Sequence, residues 1–595
     1  MKEFIKKRFH SLYFFYQFLG VRMFILLVFS LLMVVLDSIG IAMFVPLLQI
    51  ADHSQTIDAS DDKVIQYTSA IFDFLHLDLT MINMLLLLVV LFGLKAVFYY
   101  YANTYLAINQ QYFSKEMRTR MILGLKNISY KNFIKLDIGR LQNSLLGESW
   151  QVVFACNQYL ETIKNSMFVI IYLGFAFFLD WKFSILVCFG GLISNFIYRY
   201  YYKRTERLSR EITKNNHRYG GVVVEIINHY KYLKATGRNE NFFKRLQDEL
   251  KDLISSGIEV AKLSSKLSAI REPITMAIIC AVIAIHVLFF KSPLAAIIII
   301  LMFFYRALQK IVDLQSNWNN YLSHVGSIEN MKEFQLIIDQ NQEYFVGNKS
   351  IDRIDSIQLK DVDLFMDSHQ VLRKVNIEIL KNTSIAIVGE SGSGKTSLVN
   401  LLTTLLPISQ GEVLLNGVNI QEYNNGEFKS KIGYITQEPS IFNADIFDNV
   451  TFWAERNDEN YKKFENISKL SGLSDYLENL PEKENTLLGN NGVNISGGQK
   501  QRISIARELF RDIEILIMDE ATSALDSDTE QTIKNSIEML HGKLTIISIA
   551  HRLSTIKNVD TVYIMENGRI VENGGFVELK SKSNYFKRLT ELQGV

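Results

Sequence analysis

Eight consecutive residues, Gly389-Glu390-Ser391-Gly392-Ser393-Gly394-Lys395-Thr396, have the types and spacing needed to hold a phosphate chain. Glycines at 389, 392 and 394 let backbone N–H groups turn inward on an anion, and the positive end of a following helix adds to the attraction. Lys395 would reach the β- and γ-phosphates, and the Thr396 hydroxyl would take a position on Mg²⁺. A glycine-rich turn alone would not explain why Lys and Thr follow directly. A second chemical signal is Ile515 to Glu520, an apolar run ending in two carboxylates. Asp519 would hold Mg²⁺ through water and Glu520 would polarise the water that attacks the γ-phosphate; the competing reading is an acid pair capping the next helix. Gln437, at the end of the apolar run from Ile432, would bind Mg²⁺ or order that water, although most such glutamines are simply solvated. A third signal, Ser496-Gly497-Gly498-Gln499 ahead of a helical pattern through Arg507, forms another anion-binding nest.

The elements that must position these groups are legible around them. Ile385 to Val388 reads as a strand entering the glycine loop, and Ser397 to Leu402 as the helix leaving it. From Ile357 onward short alternating strands and mixed charge indicate a soluble α/β domain, with Phe345 to Asp355 as linker. The expected domains are therefore 1–344, 345–355 and 356–595.

The first domain is different in kind. Met23 to Ile50 is apolar apart from a few residues such as Asp37, and exceeds the roughly 20 residues a spanning helix needs. Further spans are expected at Met81 to Ala107, Asn165 to Leu179, Phe183 to Ile197, Pro273 to Phe290, and from Pro293 through Phe304. Pro46 is expected to kink the first. The segment 51–80 is acidic and is placed outside by the positive-inside rule, either as an amphipathic helix or as a solvated loop. Basic stretches between Lys115 and Arg140 and between Arg199 and Lys251 are placed inside, as are both termini. Phe9 to Leu19, aromatic-rich after three basic residues, suits an interfacial helix on the cytoplasmic leaflet.

Lys95, Arg271 and Arg306 lie near or within membrane-depth sequence. Such cations face a bundle interior or water, and three around one cavity would suit a phosphate or pyrophosphate cargo; the alternative is snorkelling to the interface. Lys plus Arg total 63 against 62 Asp plus Glu, so there is no basic excess for a nucleic-acid partner. The three cysteines, Cys156, Cys188 and Cys280, have no metal-ligand spacing.

Taken together, the phosphate loop, the Asp519-Glu520 strand and the signature Ile495 to Gln499, with Ile where Leu is usual, make the chain resemble an ATP-binding cassette exporter half-transporter over its whole length. The resemblance extends to Ser523-Ala-Leu-Asp526 and to His551 after an apolar strand. It implies an α-helical membrane domain of six transmembrane helices fused to a cytoplasmic α/β P-loop ATPase domain, ATP and Mg²⁺ as cofactors, and a homodimer in the bacterial cytoplasmic membrane. It further implies that Ser496, Gly497, Gly498 and Gln499 of one subunit meet the nucleotide held by Gly389 to Ser397 of the other. His551 would contact the γ-phosphate, Gln437 would link nucleotide to membrane helices, and Asp526 belongs to the same site. Phe365 or Met366 replaces the usual adenine-stacking aromatic, and Asn490 stands where glutamate is usual. Coupling helices are expected near Tyr130 to Ile138 and Asn228 to Thr236. A finer resemblance, to flippases for lipid-linked oligosaccharides, rests on Phe44-Val-Pro46-Leu, the external segment and the three cations. A multidrug, lipid or peptide exporter is the alternative. Six spans argue against a soluble chromosome or repair ATPase, and the fused domains against an importer subunit.

Overall fold

The computed structural model describes residues 10–44, 46–47, 70, 72–74, 76–78, 80–179, 181–290, 294–343, 347–519, 527–550 and 553–592. Two compact units emerge, one of residues 1–128 and 132–342, the other of residues 129–131 and 343–595.

In the first unit long helices follow one another: α1 His10–Leu19, α2 Arg22–Ala42, α3 Met81–Asn127, the short α4 Tyr130–Phe133 and α5 Ile138–Asn143, then α6 Ser149–Leu179, α7 Trp181–Thr236, α8 Asn239–Phe290, α9 Leu294–Leu322 and α10 Val325–Gln340. Of the expected spans, Met81 to Ala107, Asn165 to Leu179, Phe183 to Ile197 and Pro273 to Phe290 lie within α3, α6, α7 and α8, while α2 covers the first as far as Ala42 and α9 the last from Leu294. Among the described residues three stretches, Arg22–Ala42, Met81–Asn127 and Ile138–Phe178, are long and apolar enough to cross a bilayer. α2 ends earlier than the sequence suggests. Pro46 has no N–H for the carbonyl of Ala42; Met43 is a turn residue, and Phe44, Pro46 and Leu47 are helical again, an interruption where the kink was expected. The expected external segment lies largely outside the described residues, as do the three basic residues before α1.

The expected N-terminal helix forms as α1, and one of its faces is packed on protein. Phe14, Phe15 and Phe18 are buried, meeting Phe113 edge-on at 6.5, 5.8 and 5.2 Å, while Tyr13 and Tyr16 stay exposed. Aromatic residues at i, i+1 and i+4 share one helix face, and that face is used for protein packing.

The helices of this unit are also tied by polar contacts. Between α5 and α6 the chain makes a π-helical turn, Ser144–Glu148, and Glu148 is 1% exposed. His217 of α7 bonds its carboxylate at 2.7 Å, Ser144 donates to it at 3.1 Å, and the Asn330 amide of α10 donates as well. Arg140 completes the set by donating to Asn330 Oδ1 at 2.7 Å. A buried carboxylate needs several donors, and the π turn aims this one at them. α7 kinks at His229, where φ is −110° and ψ is 15°, so its last two turns or so, about 3.6 residues each and inside the expected Asn228 to Thr236 segment, have their own direction.

The second unit contains two sheets. β1 Ser356–Met366, β2 His369–Leu380, β4 Gln410–Leu415 and β5 Val418–Asn419 form an antiparallel sheet in the order β2-β1-β4-β5. β3 Ser384–Val388, β6 Ile432–Ile435, β7 Ile515–Asp519, β8 Thr545–Ile549, β9 Thr561–Glu566 and β10 Arg569–Gly574 form the other, in the order β10-β9-β3-β8-β7-β6. That sheet is parallel except for the β9–β10 hairpin. β3 and β7 are buried at every residue, which is why they read as unbroken apolar runs rather than as alternation. Helices α11 Lys395–Leu402, α12 Gly497–Phe510 and α13 Asn584–Leu592 are the ones that concern the site.

Candidate nucleotide site and membrane charge clusters

The phosphate loop leaves the carboxyl end of β3 and enters α11, where a doubly wound sheet places its ligand crevice. Gly389 is sterically required: a Cβ there would lie 2.2 Å from the Met565 carbonyl oxygen of β9. Gly394 caps α11 with φ +104°, a left-handed conformation that penalises other residues. Lys395 is 6% exposed and its ammonium donates to the carbonyls of Gly389 and Glu390, both at 2.9 Å. The loop thus holds its cation ready, and Thr396 stands exposed at the first helical turn. A polar cavity of about 410 Å³ lies against the loop between Glu390, Ser393, Asn567, Tyr585 and Arg588.

Asp519 ends β7 with 7% exposure, and the Tyr434 hydroxyl of β6 donates to it at 3.5 Å. Burial, with the Asp519 carboxylate beside it, pushes the Tyr434 phenol up to about 12, so it remains a donor at neutral pH. Gln437 lies two residues beyond β6, in an exposed bend rather than on the strand itself. The donors Asp519, Thr396 and Gln437 are all hard oxygens, which fits Mg²⁺. Among the described residues no three His, Cys, Asp or Glu side chains gather. Glu520, Asp526 and His551 lie outside the described residues.

Ser496 caps α12 in a reciprocal capping box: its Oγ accepts from Gln499 N at 3.3 Å, and Gln499 Oε1 accepts from Ser496 N at 2.8 Å. Gln499 is thereby engaged structurally, while Ser496 and Gly497 are exposed. Sequence reasoning missed what anchors this helix. Arg507 donates to Ser440 O at 2.7 Å and Asn449 O at 2.6 Å, and to Asn449 Oδ1 at 3.0 Å. These acceptors follow Gln437 in the chain, so α12 and the glutamine loop are braced together. The adjacent Glu508 carboxyl is pushed up by burial and drawn back by Arg511.

On β1, Met366 packs against the hydrophobic core beneath the sheet, leaving half-buried Phe365 on the alternate face. Asn490 is exposed.

In the membrane unit the three expected cations do not form one free positive cluster. The Lys95 ammonium donates to Asp37, whose other oxygen accepts from Tyr172. Asp37 is 2% exposed, so Lys95 is neutralised by a buried counter-ion rather than offered to cargo. The sequence showed single charges on consecutive spans, which was the available signal for this pair. Arg306 is exposed on α9, and Arg271 is 9% exposed on α8.

Comparison with known proteins agrees with this architecture. The ABC transporter family model matches residues 372–523, and the ABC transporter transmembrane region model matches residues 23–312. The heterocyst differentiation ATP-binding protein HepA of Nostoc sp. (strain PCC 7120 / SAG 25.82 / UTEX 2576) is 30% identical over 505 residues, 84% of this chain and 82% of that one. An ATP-dependent lipid A-core flippase of Pasteurella multocida (strain Pm70) is 28% identical over 486 residues, covering 80% and 83%. A solved bacterial Atm1-family ABC exporter with ATP bound superposes with TM-score 0.80 at 19% identity, covering 97% of this chain and 100% of that one, a likeness of fold. The chain belongs to the ABC transporter family, as an exporter half-transporter whose transmembrane domain is fused to a cytoplasmic ATPase domain that couples ATP hydrolysis to transport.

Proposed function

We propose that the protein moves an amphipathic anionic lipid, a lipid-linked oligosaccharide or related glycolipid, across the cytoplasmic membrane as a homodimer working by alternating access. The observation that carries this reading is a pair of cations on long helices, Arg306 exposed on α9 and Arg271 buried on α8, neither of which makes an ion pair among the described residues. Cations are expensive at that depth and mark a substrate path. Kinship with lipid A-core flippases supports a lipid cargo.

ATP held by Gly389 to Ser397 and stacked on Phe365 would be closed over by Ser496 to Gln499 of a second copy. Binding at both faces of the nucleotide gives the closed state the differential affinity a population shift requires. Mg²⁺ held by Thr396, Gln437 and Asp519 would neutralise phosphate charge. Glu520 would activate the attacking water, with His551 and Asp526 completing the site. α4 and the segment after the His229 kink would carry closure to the spans. Replacing Glu520 with Gln should trap the closed dimer with ATP; hydrolysis at the wild-type rate would remove Glu520 from its role. For the cargo, Arg271 and Arg306 are replaced together by alanine in liposomes, with Lys95 left on its buried partner Asp37. Flipping of a fluorescent pyrophosphate-linked glycolipid should fall; unchanged flipping with intact ATPase activity would overturn the anionic-cargo reading.

A further inference from the structure

The polar cavity against the phosphate loop is walled on one side by the C-terminal helix α13, through Tyr585 and Arg588. α13 is well anchored. Ser583 Oγ accepts from Phe586 N at 3.1 Å, which caps its first turn, and Phe586 is fully buried with its ring edge-on to Phe576 at 5.2 Å. Tyr585 is thus fixed at the cavity wall by the residue that follows it.

Two hydroxyls at this cavity, Tyr585 Oη and Ser393 Oγ, are enclosed and have no hydrogen-bond partner among the described residues. Ser393 is 6% exposed, and its Oγ would lie 2.8 Å from a Cβ on Gly389. Tyr585 shares the cavity with Glu390. Burial, with the Glu390 and Glu566 carboxylates near it, raises the Tyr585 phenol, which keeps its proton at neutral pH. An enclosed hydroxyl without a partner is unfavourable, so these two call for an acceptor in another state of the site.

Lys395 indicates which state that is. Its ammonium donates to the carbonyls of Gly389 and Glu390, both at 2.9 Å. An ammonium has three N–H donors, and reaching oxygens of both the β- and γ-phosphates takes two of them. One donor then remains for two carbonyls. The Glu390 carbonyl retains Ser393 N, at 3.2 Å the long end of a hydrogen bond. A carbonyl of the loop therefore loses its cation when ATP enters, beside two hydroxyls with nothing to donate to. Of these, Ser393 belongs to the loop itself, whereas Tyr585 is fixed to the core outside it and is already in place.

We propose that Tyr585 is a positioning residue of the ATPase site, donating from α13, directly or through water, to the loop carbonyl that Lys395 gives up to the triphosphate. This rests on the assignment of Lys395 to both phosphates. Its signature is selectivity: on a diphosphate the ammonium spends one donor and keeps two for the carbonyls, so Tyr585 is not needed.

The test uses the full chain in nanodiscs with Mg²⁺. Binding of β,γ-imido-ATP and of ADP, steady-state ATPase activity and nucleotide-free thermal unfolding are measured side by side. Tyr585→Phe keeps the ring and should weaken β,γ-imido-ATP about fivefold and raise KM for ATP alike, with kcat within about twofold, because the lost donor serves ground and transition states equally. ADP affinity should stay within about twofold of wild type. Nucleotide-free melting should not change, since the hydroxyl has no partner there. Equal weakening of ADP and β,γ-imido-ATP, or a lower nucleotide-free melting temperature, would make Tyr585 a packing residue and overturn the proposal; wild-type binding of both nucleotides overturns it as well. A triphosphate-specific loss in Ser393→Ala without one in Tyr585→Phe assigns the donor to the loop and removes α13 from the role. Lys395→Ala in the same titration checks the premise. Wild-type affinity for β,γ-imido-ATP there takes Lys395 off the phosphates and the proposal with it, whereas a loss there beside an unaffected Tyr585→Phe removes Tyr585 alone.

Discussion

The two halves of this chain handle charge in opposite ways. In the ATPase domain the groups expected to meet the nucleotide are held by neighbours a few residues away: Lys395 by the carbonyls of Gly389 and Glu390, and the Ser496 hydroxyl by Gln499. In the membrane domain the charged groups are held by residues far away in sequence, Asp37 by Lys95 and Tyr172, Glu148 by His217 and Asn330. The first kind of site is built to exchange its partner for a ligand. The second is built to hold helices together.

The sharpest way to break this contrast is Lys395→Ala. The ammonium leaves only two backbone carbonyls with one donor fewer, so folding should be little affected, while ATPase activity should fall on the order of 10²–10³-fold. Thermal unfolding beside a steady-state ATPase assay checks both. A large loss of stability would mean that Lys395 is structural, as the membrane charges are.

Asp37→Leu probes the other half. It strands Lys95 and the Tyr172 hydroxyl together, and breaking a buried pair from one side costs about 3 kcal/mol or more; Lys95 is partly exposed, which places the loss at the low end. Asp37→Leu combined with Lys95→Met should recover most of it. Failure of the double variant to recover would show that Asp37 serves something other than Lys95.

Legibility from sequence follows the same division. The phosphate loop, the Asp519 strand and the α12 cap were readable because each is local: a fully buried strand, a glycine at φ +104° and a Ser-to-Gln capping box are patterns a few residues long. The helices of the membrane unit were readable as apolar runs. What was not readable was pairing between helices, because nothing near Asp37 announces Lys95 or Tyr172. Nor does the spacing of Phe14, Phe15 and Phe18 say whether lipid or Phe113 covers them. The separation of Arg271 from Lys95 is of this kind.

Gly389→Ala has a smaller expected effect than the first two substitutions and a purely steric origin. Its methyl would sit 2.2 Å from the Met565 carbonyl, which is backbone and cannot rotate away. Shifting β9 or the loop should cost roughly 1–3 kcal/mol, read as a lower melting temperature of the ATPase domain and weaker ATP binding. A wild-type melting curve would mean the loop is looser against β9 than its packing implies.

The smallest effect separates structure from chemistry at one residue. Ser496→Ala removes the N-cap of α12 and should cost about 1 kcal/mol of stability. Ser496→Asp keeps a cap that accepts from Gln499 N and favours the helix dipole, so its melting temperature should stay near wild type. The two variants should nevertheless both lose ATPase activity, and Ser496→Asp the more severely, because a carboxylate would face the partner's γ-phosphate. Were Ser496→Asp to hydrolyse ATP normally, Ser496 would be a helix cap and nothing more, and the ATPase domain would owe its second anion site to the glycine N–H groups alone.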